Sequence, residues 1–187
     1  MIKITIAGAI ALAFVSTASA QSIVTNGSFE TGDFSGWTQH GTAFTGVVNG
    51  PFVYVSPTDG DFQAFFGAIG SQTSLSQQLA VDPGRLYTVS FDLDDFSDGA
   101  TQEFSASFGG QTLVSYASRP FGSYTHLSFT AVGGDGALVF SARNDPSAWL
   151  LDNVQVLAAV PETPMTPMFL TGIALLGLAG ARRRVSL

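Results

Sequence analysis

The chain has 187 residues, room for one ordinary domain with appended segments. It carries seven basic against fourteen acidic residues, a formal net charge of −7, and no cysteine, which excludes disulfides, thiolate metal sites and thiol nucleophiles. Four of the basic residues, Lys3, Arg182, Arg183 and Arg184, lie at the ends, so the stretch 21–160 keeps three arginines against thirteen acids, a balance that repels phosphate backbones and excludes nucleic acid as a partner.

The N-terminus runs from Lys3 through an apolar stretch, Ile4 to Val15, to Ala18-Ser19-Ala20. A positive start, an apolar core and an A-x-A site define residues 1–20 as a signal peptide cleaved after Ala20. The apolar stretch is short for a retained membrane helix, and no stop-transfer pattern follows.

Residues 21–159 alternate with a period of two. After Asn26-Gly27-Ser28-Phe29-Glu30 and Gly36-Trp37 comes a glycine- and proline-rich segment with Phe52 and Tyr54, then the turn Asp59-Gly60 and a run Phe62 to Phe66. Leu75, Gln77 and Leu79 oppose Ser74, Ser76 and Gln78; beyond Asp82-Pro83-Gly84, Tyr87, Val89, Phe91 and Leu93 alternate with Leu86, Thr88, Ser90 and Asp92. Further runs follow at Phe104 to Phe108, Thr125 to Ala131, Ala137 to Arg143 and Trp149 to Leu157, punctuated by Gly109-Gly110 and Gly133-Gly134-Asp135-Gly136. Short strands about ten residues apart, with no helical pattern between them, predict an all-β fold, an antiparallel β-sandwich or jelly roll.

Simple parity puts Asp152 on the same strand face as Leu150, Val154 and Val156. A carboxylate there needs an arginine, backbone amides or a metal to meet its charge. The cluster Asp92, Asp94, Asp95, Asp98, Gly99 has Glu103 at the twelfth place of a calcium-loop template, but Phe96 and Ser97 hold the fifth and sixth places, so a solvated turn is expected. Sugar binding needs exposed aromatic rings beside amides and acids; Phe52 and Tyr54 in the glycine- and proline-rich segment, and Tyr116, Phe121 and Tyr124 around Arg119-Pro120, are the candidates, with Tyr116 and Tyr124 foremost, whereas Trp37 and Trp149 read as core. His40 and His126 stand alone, with no nucleophile elbow or metal spacing beside them. No carboxylate pair singles itself out for glycoside hydrolysis, and the chain reads as non-catalytic.

Residues 160–187 form the third unit. Val160-Pro161-Glu162-Thr163-Pro164 is extended by its prolines. A charge-free apolar segment follows, about Met165 to Ala181, and ends at Arg182-Arg183-Arg184. As a helix it reaches roughly 25 Å, just enough to span a bilayer, and the arginines keep the C-terminus cytoplasmic with the domain outside.

The ordered set of Pro-Glu motif, apolar helix and arginine cluster resembles the PEP-CTERM sorting signal of Gram-negative bacteria. Thr163 stands where that pattern usually has proline. The resemblance implies an exosortase-type membrane protease as partner, transient membrane anchoring, and delivery to the cell surface or an extracellular matrix. The opening Asn26-Gly27-Ser28-Phe29-Glu30 with Trp37, the stretch Tyr124 to Ala131, and Trp149-Leu150-Leu151-Asp152-Asn153-Val154 resemble galactose-binding-like jelly rolls, including carbohydrate-binding modules. That resemblance implies neighbouring opening and closing strands and a structural Ca²⁺ on Glu30 and Asp152, with Asp59 and Asp61 as weaker ligands; a pair of hydrogen-bonded carboxylates without an ion is the alternative. The expected function is that of an exported, non-catalytic surface or exopolysaccharide-matrix protein, adhesive or structural. A carbohydrate-binding module is the alternative, and a glycan-active enzyme the third reading.

Overall fold

Strict alternation of apolar and polar residues buries one face of each long strand and leaves the other for solvent or a covering loop. The computed structural model describes residues 21–41, 44–67, 70–96, 101–117 and 122–159. The expected signal peptide with Ala18 and Ala20 lies outside the described residues. So do the sorting segment, with Val160, Pro161, Glu162, Thr163, Pro164, Arg182, Arg183 and Arg184, and its apolar helix.

Among the described residues ten strands form two antiparallel five-stranded sheets. They are β1 (Thr38–His40), β2 (Thr45–Asn49), β3 (Phe62–Phe66), β4 (Thr73–Gln78), β5 (Leu86–Asp95), β6 (Thr101–Phe108), β7 (Gln111–Tyr116), β8 (Thr125–Val132), β9 (Ala137–Asp145) and β10 (Trp149–Ala158). The first sheet has the order β1-β4-β9-β6-β7 and the second β2-β3-β10-β5-β8. The inward side chains make one aromatic-rich core: Phe29, Phe66, Phe91, Phe104, Phe108, Phe140 and Trp149 are fully buried, and Trp37 packs among them. Phe140 lies 5.1 Å from Phe91 edge-on, and Trp149 lies 5.3 Å from Phe104. The all-β sandwich and the core positions of Trp37 and Trp149 are as expected.

Opening and closing segments are neighbours. On one edge β10 pairs with β3 only through Trp149, Leu150 and Leu151. Farther along, the N-terminal segment takes over that edge: Val154 N donates to Gly27 O and Ile23 N to Val156 O, at 3.0 and 2.9 Å. A Cβ on Gly27 would stand 2.1 Å from Val154 O, so this approach admits only glycine. The Gln77 side chain, facing inward, clamps Thr25 by its backbone N and O at 2.8 and 2.9 Å.

Two expectations fail for identifiable reasons. Asp152 does not share a face with Val154 and Val156, because the β10–β5 register shifts between Asp152 and Gln155, and Asn153 sits in the left-handed region at φ 51°. The bulge reverses parity, so Val154 and Val156 enter the core while Asp152 joins the outer face. The acidic cluster is not a solvated turn either. Asp92, Asp94 and Asp95 continue β5 and are buried; Asp98 lies outside the described residues.

Candidate functional site

Register, rather than any local motif, assembles the outer face of the first sheet. Pairing aligns His40 with Ser74, Ser74 with Ser141, Ser141 with Ser105, and Ser105 with Ser115. The neighbours of these residues on β4, β6 and β9 alternate into the core, so the row faces outward. A lane of four hydroxyls thus crosses the sheet at the strand spacing of about 4.8 Å, with an exposed imidazole at one end.

At the other end the lane meets a groove of about 280 Å³ lined by Gln72, Glu103, Phe104, Ser105, Ser115 and Tyr116. Gln72 Nε2 donates to Glu103 Oε2 at 2.7 Å, which orients the carboxamide and the carboxylate against each other. Arg143, opposite Glu103 in the ladder, turns to Asp145 through Nε and Nη2 at 3.0 and 2.6 Å. Asp145 also accepts from Gly70 N at 3.0 Å; that amide first, and then Arg143, hold its carboxyl below the usual carboxylate range. Tyr116 is half-buried, with one face of its ring stacked on Trp149 at 6.4 Å.

The second expected aromatic has a different setting. Tyr124 donates to Gln63 Oε1 at 2.7 Å, and Gln63 Nε2 donates to Gly50 O and Val55 O. Burial first, and then the charges of Asp152, Asp94 and Asp92, push the phenol above its ordinary range. Tyr124 therefore belongs to the support of the 50–62 segment and is not in the groove. Phe52 and Tyr54 lie apart from the groove as well, in a ring cluster beside the second sheet.

Glu30 and Asp152 fasten one turn from two sides. Asp152, fully buried, accepts from Thr58 N and Asp59 N at 2.7 and 3.0 Å on Oδ2, and from Asn153 N at 2.7 Å on Oδ1. Glu30 Oε1 accepts from Asp61 N and Phe62 N, both at 2.9 Å. Gly60 (φ 71°) lies against the Glu30 carboxyl, and a Cβ there would come within 2.3 Å of it. Asp59 Oδ2 accepts from Ser28 Oγ, and the Asp59 and Asp61 side chains are exposed. Burial pushes the Asp152 carboxyl up, against the opposing pull of the Asp59, Thr58 and Asn153 amides and the Thr58 hydroxyl. The oxygens suit a hard cation: among the described residues Glu30 Oε2 accepts no hydrogen bond and Asp152 Oδ1 accepts only one. No group of three His, Asp or Glu gathers there, so turn carbonyls would have to complete a shell.

Asp92 completes this network. Its Oδ1 lies 2.7 Å from His126 Nδ1, and its Oδ2 accepts from Asn153 Nδ2 at 3.1 Å. The Thr58 hydroxyl has a single proton and stands 2.7 Å from Asp92 Oδ2 and 3.1 Å from Asp152 Oδ2, so it donates to the nearer. Burial raises the Asp92 pKa, but the bonds from Thr58, His126 and Asn153 outweigh it and leave the carboxyl below its ordinary 3.8. The stability this gives is present above pH 3.8 and is lost as pH falls through the depressed value. In thermal melts the Asp92→Asn variant is expected to melt below wild type at neutral pH, and the gap to close as pH drops below 3.8.

Sequence reasoning named Tyr116 but missed Gln72, Ser105 and Ser115. The available signal was that the outward positions of β4, β6 and β9 include serines, Ser74, Ser76, Ser105, Ser107 and Ser141; what joins them is the register, which no single strand shows.

No family model matches the chain, and no curated protein matches it. Solved structures do share the fold. A family 61 carbohydrate-binding module in complex with β-1,4-galactotriose superposes with a TM-score of 0.60 at 19% identity, over 75% of this chain and 100% of the module. A family 22 xylan-binding domain from Paenibacillus barcinonensis gives 0.50 at 20% identity, over 76% and 97%. The enzymatically active domain of tailspike protein 4 from bacteriophage CBA120 gives 0.54 at 19% identity, over 74% of this chain but 21% of that one. At these identities the likeness is one of fold.

Proposed function

We propose that the domain is a carbohydrate-binding module that holds a neutral polysaccharide along the outer face of the first sheet without cleaving it. The observation that carries this reading is the hydroxyl lane His40, Ser74, Ser141, Ser105, Ser115, which runs into the groove of Gln72, Glu103 and Tyr116. A sugar chain needs many moderate hydrogen bonds on a shallow, open surface, with an aromatic ring for the apolar side of a sugar. Small hydroxyls supply the first without obstructing the chain. Glu103 is the one acid in the groove lining, whereas glycoside hydrolysis takes two facing carboxylates. The glycan-binding modules among the solved neighbours favour the same reading. The acidic surface disfavours anionic polymers.

The full chain in affinity electrophoresis is expected to be retarded by xylan or β-1,4-galactan. Glu103→Gln and Gln72→Ala should each cost about threefold to tenfold in apparent Kd at unchanged melting temperature, the scale of one hydrogen bond to a charged or neutral group. Retardation by neither polymer, or variants that bind like wild type, would overturn the assignment of the groove.

Calcium at Glu30 and Asp152 is part of the proposal. The two residues would hold it by their carboxylates, and the ion would neutralise a buried carboxylate. Chelator is then expected to lower the melting temperature and added calcium to restore it; a melt indifferent to both would leave the amides as the sole partners of the two carboxylates.

The ends supply the address. Residues 1–20 direct export, and residues 160–187 direct membrane delivery and exosortase-type processing. A glycan-binding domain released at the surface would then tether itself to exopolysaccharide, which gives the adhesive role a mechanism. Mass spectrometry of surface-released protein is expected to find a C-terminus upstream of Arg184; an intact Arg184 on that fraction would contradict processing.

A further inference from the structure

Three of the four large apolar side chains left exposed among the described residues lie together: Phe44 at 52%, Val53 at 72% and Tyr54 at 65%. Phe44 and Val53, with Phe52, Phe96 and the turn from Pro146 to Ala148, wall a cleft of about 310 Å³ in which Ser147 is the one polar residue. A fixed stack of rings supports the walls. Phe52 lies 5.1 Å from Phe65 and 5.2 Å from Phe96, Phe44 lies 5.4 Å from Phe65, and Tyr54 lies 5.3 Å from Phe96.

The backbone at the rim is strained. Phe52 and Val55 exchange hydrogen bonds at 2.9 and 3.0 Å, which makes Val53 and Tyr54 the two-residue tip of a tight turn. Val53 occupies the first tip position at φ 58°, where glycine is the usual residue and a β-branched side chain is an outlier. Phe44 is also left-handed, at φ 56°. Glycine at position 53 would relieve the turn, and the exposed valine methyls give little packing in exchange. Strain of this kind on a solvent-facing side chain marks a place where the side chain is used.

We propose that this cleft binds the methyl of an O-acetyl substituent on a neutral glycan, next to the polymer backbone. The inference rests on the carbohydrate reading and names what distinguishes the ligand. Walls with almost no hydrogen-bonding groups would strip water from a hydroxyl without replacing it, whereas a methyl loses nothing. Thirteen acids against three arginines in the stretch 21–160 disfavour uronate, sulfate and anionic lipid surfaces. Three rim side chains fall far short of the roughly 800 Å² per partner that a stable protein interface buries. The position fits as well. β9 leaves the first sheet through Arg143, beside Glu103, and Asp145, and the next three residues wall the cleft. The β9–β10 turn thus joins the strand beside the groove to the wall of the cleft.

The test uses the full chain in affinity electrophoresis against O-acetylated xylan and the same xylan after alkaline deacetylation. Wild type is expected to bind the acetylated polymer more tightly. Val53→Gly should keep or raise the melting temperature, lose about tenfold in affinity for the acetylated polymer, as for one buried valine-sized contact, and bind the deacetylated polymer like wild type. Tyr54→Ser should shift binding in the same direction, while Glu103→Gln weakens both polymers alike. Equal wild-type retardation by both polymers, with Val53→Gly unchanged, overturns the cleft assignment and leaves the groove standing. Retardation by neither overturns the cleft assignment, and if β-1,4-galactan fails to retard the chain as well, the groove falls with it. Binding to phosphatidylcholine vesicles that Val53→Gly abolishes would make lipid the occupant and overturn the glycan assignment.

Discussion

The buried carboxylate of Asp152 holds the turn at 58–62 in place. A bulge at Asn153 turns it away from the core, and the amides of Thr58 and Asp59 meet it there. Removing an ionised carboxylate from water costs several kcal/mol unless donors replace the solvent, so the turn at 58–62 is not free to lift. Glu30 secures the other side of the same turn through Asp61 and Phe62. The consequence extends along β3. Gln63 is set by that turn, braces Gly50 and Val55 through its carboxamide, and is itself held by Tyr124. The Phe52–Val55 turn, and with it the apolar cleft, depends on a carboxylate two strands away.

That dependence explains what could be seen in the chain and what could not. Long strands declare themselves: Phe62–Phe66 has the expected bounds, and Tyr87, Val89, Phe91 and Leu93 face the core as alternation requires. Turns at Asp59-Gly60 and Gly133 to Gly136 were equally plain, because Gly60, Gly134 and Gly136 occupy positive φ. β1, β2 and β7 were missed. β1 has three exposed residues, and β2, Thr-Gly-Val-Val-Asn, has no clean alternation, so their strand character comes from their neighbours. The acids of β5 misled because composition alone cannot distinguish a polar turn from a strand whose outer face another segment covers.

The candidate groove shows the same limit in functional terms. Tyr116 was visible as an aromatic in a turn-rich region, but its partners Gln72, Glu103, Ser105 and Ser115 come from two strands and a loop. Each serine is unremarkable within its own strand. Only the pairing of β1, β4, β9, β6 and β7 lines them up. Tyr124, equally prominent in the sequence, spends its hydroxyl on Gln63 and is committed to structure.

The two surfaces belong to different sheets, joined by the β9–β10 turn, and they differ in kind. The groove offers a carboxylate, a carboxamide and hydroxyls; the cleft offers rings and a strained valine. A uniform polar ligand has no reason to reach the second, and a uniform apolar one has no reason to lie on the first. A polymer with a hydroxylated backbone and sparse methyl-bearing substituents suits both at once. Such a ligand would be held by many weak bonds along the lane and discriminated by one apolar contact, a division in which affinity grows with chain length while specificity rests on the Val53 tip.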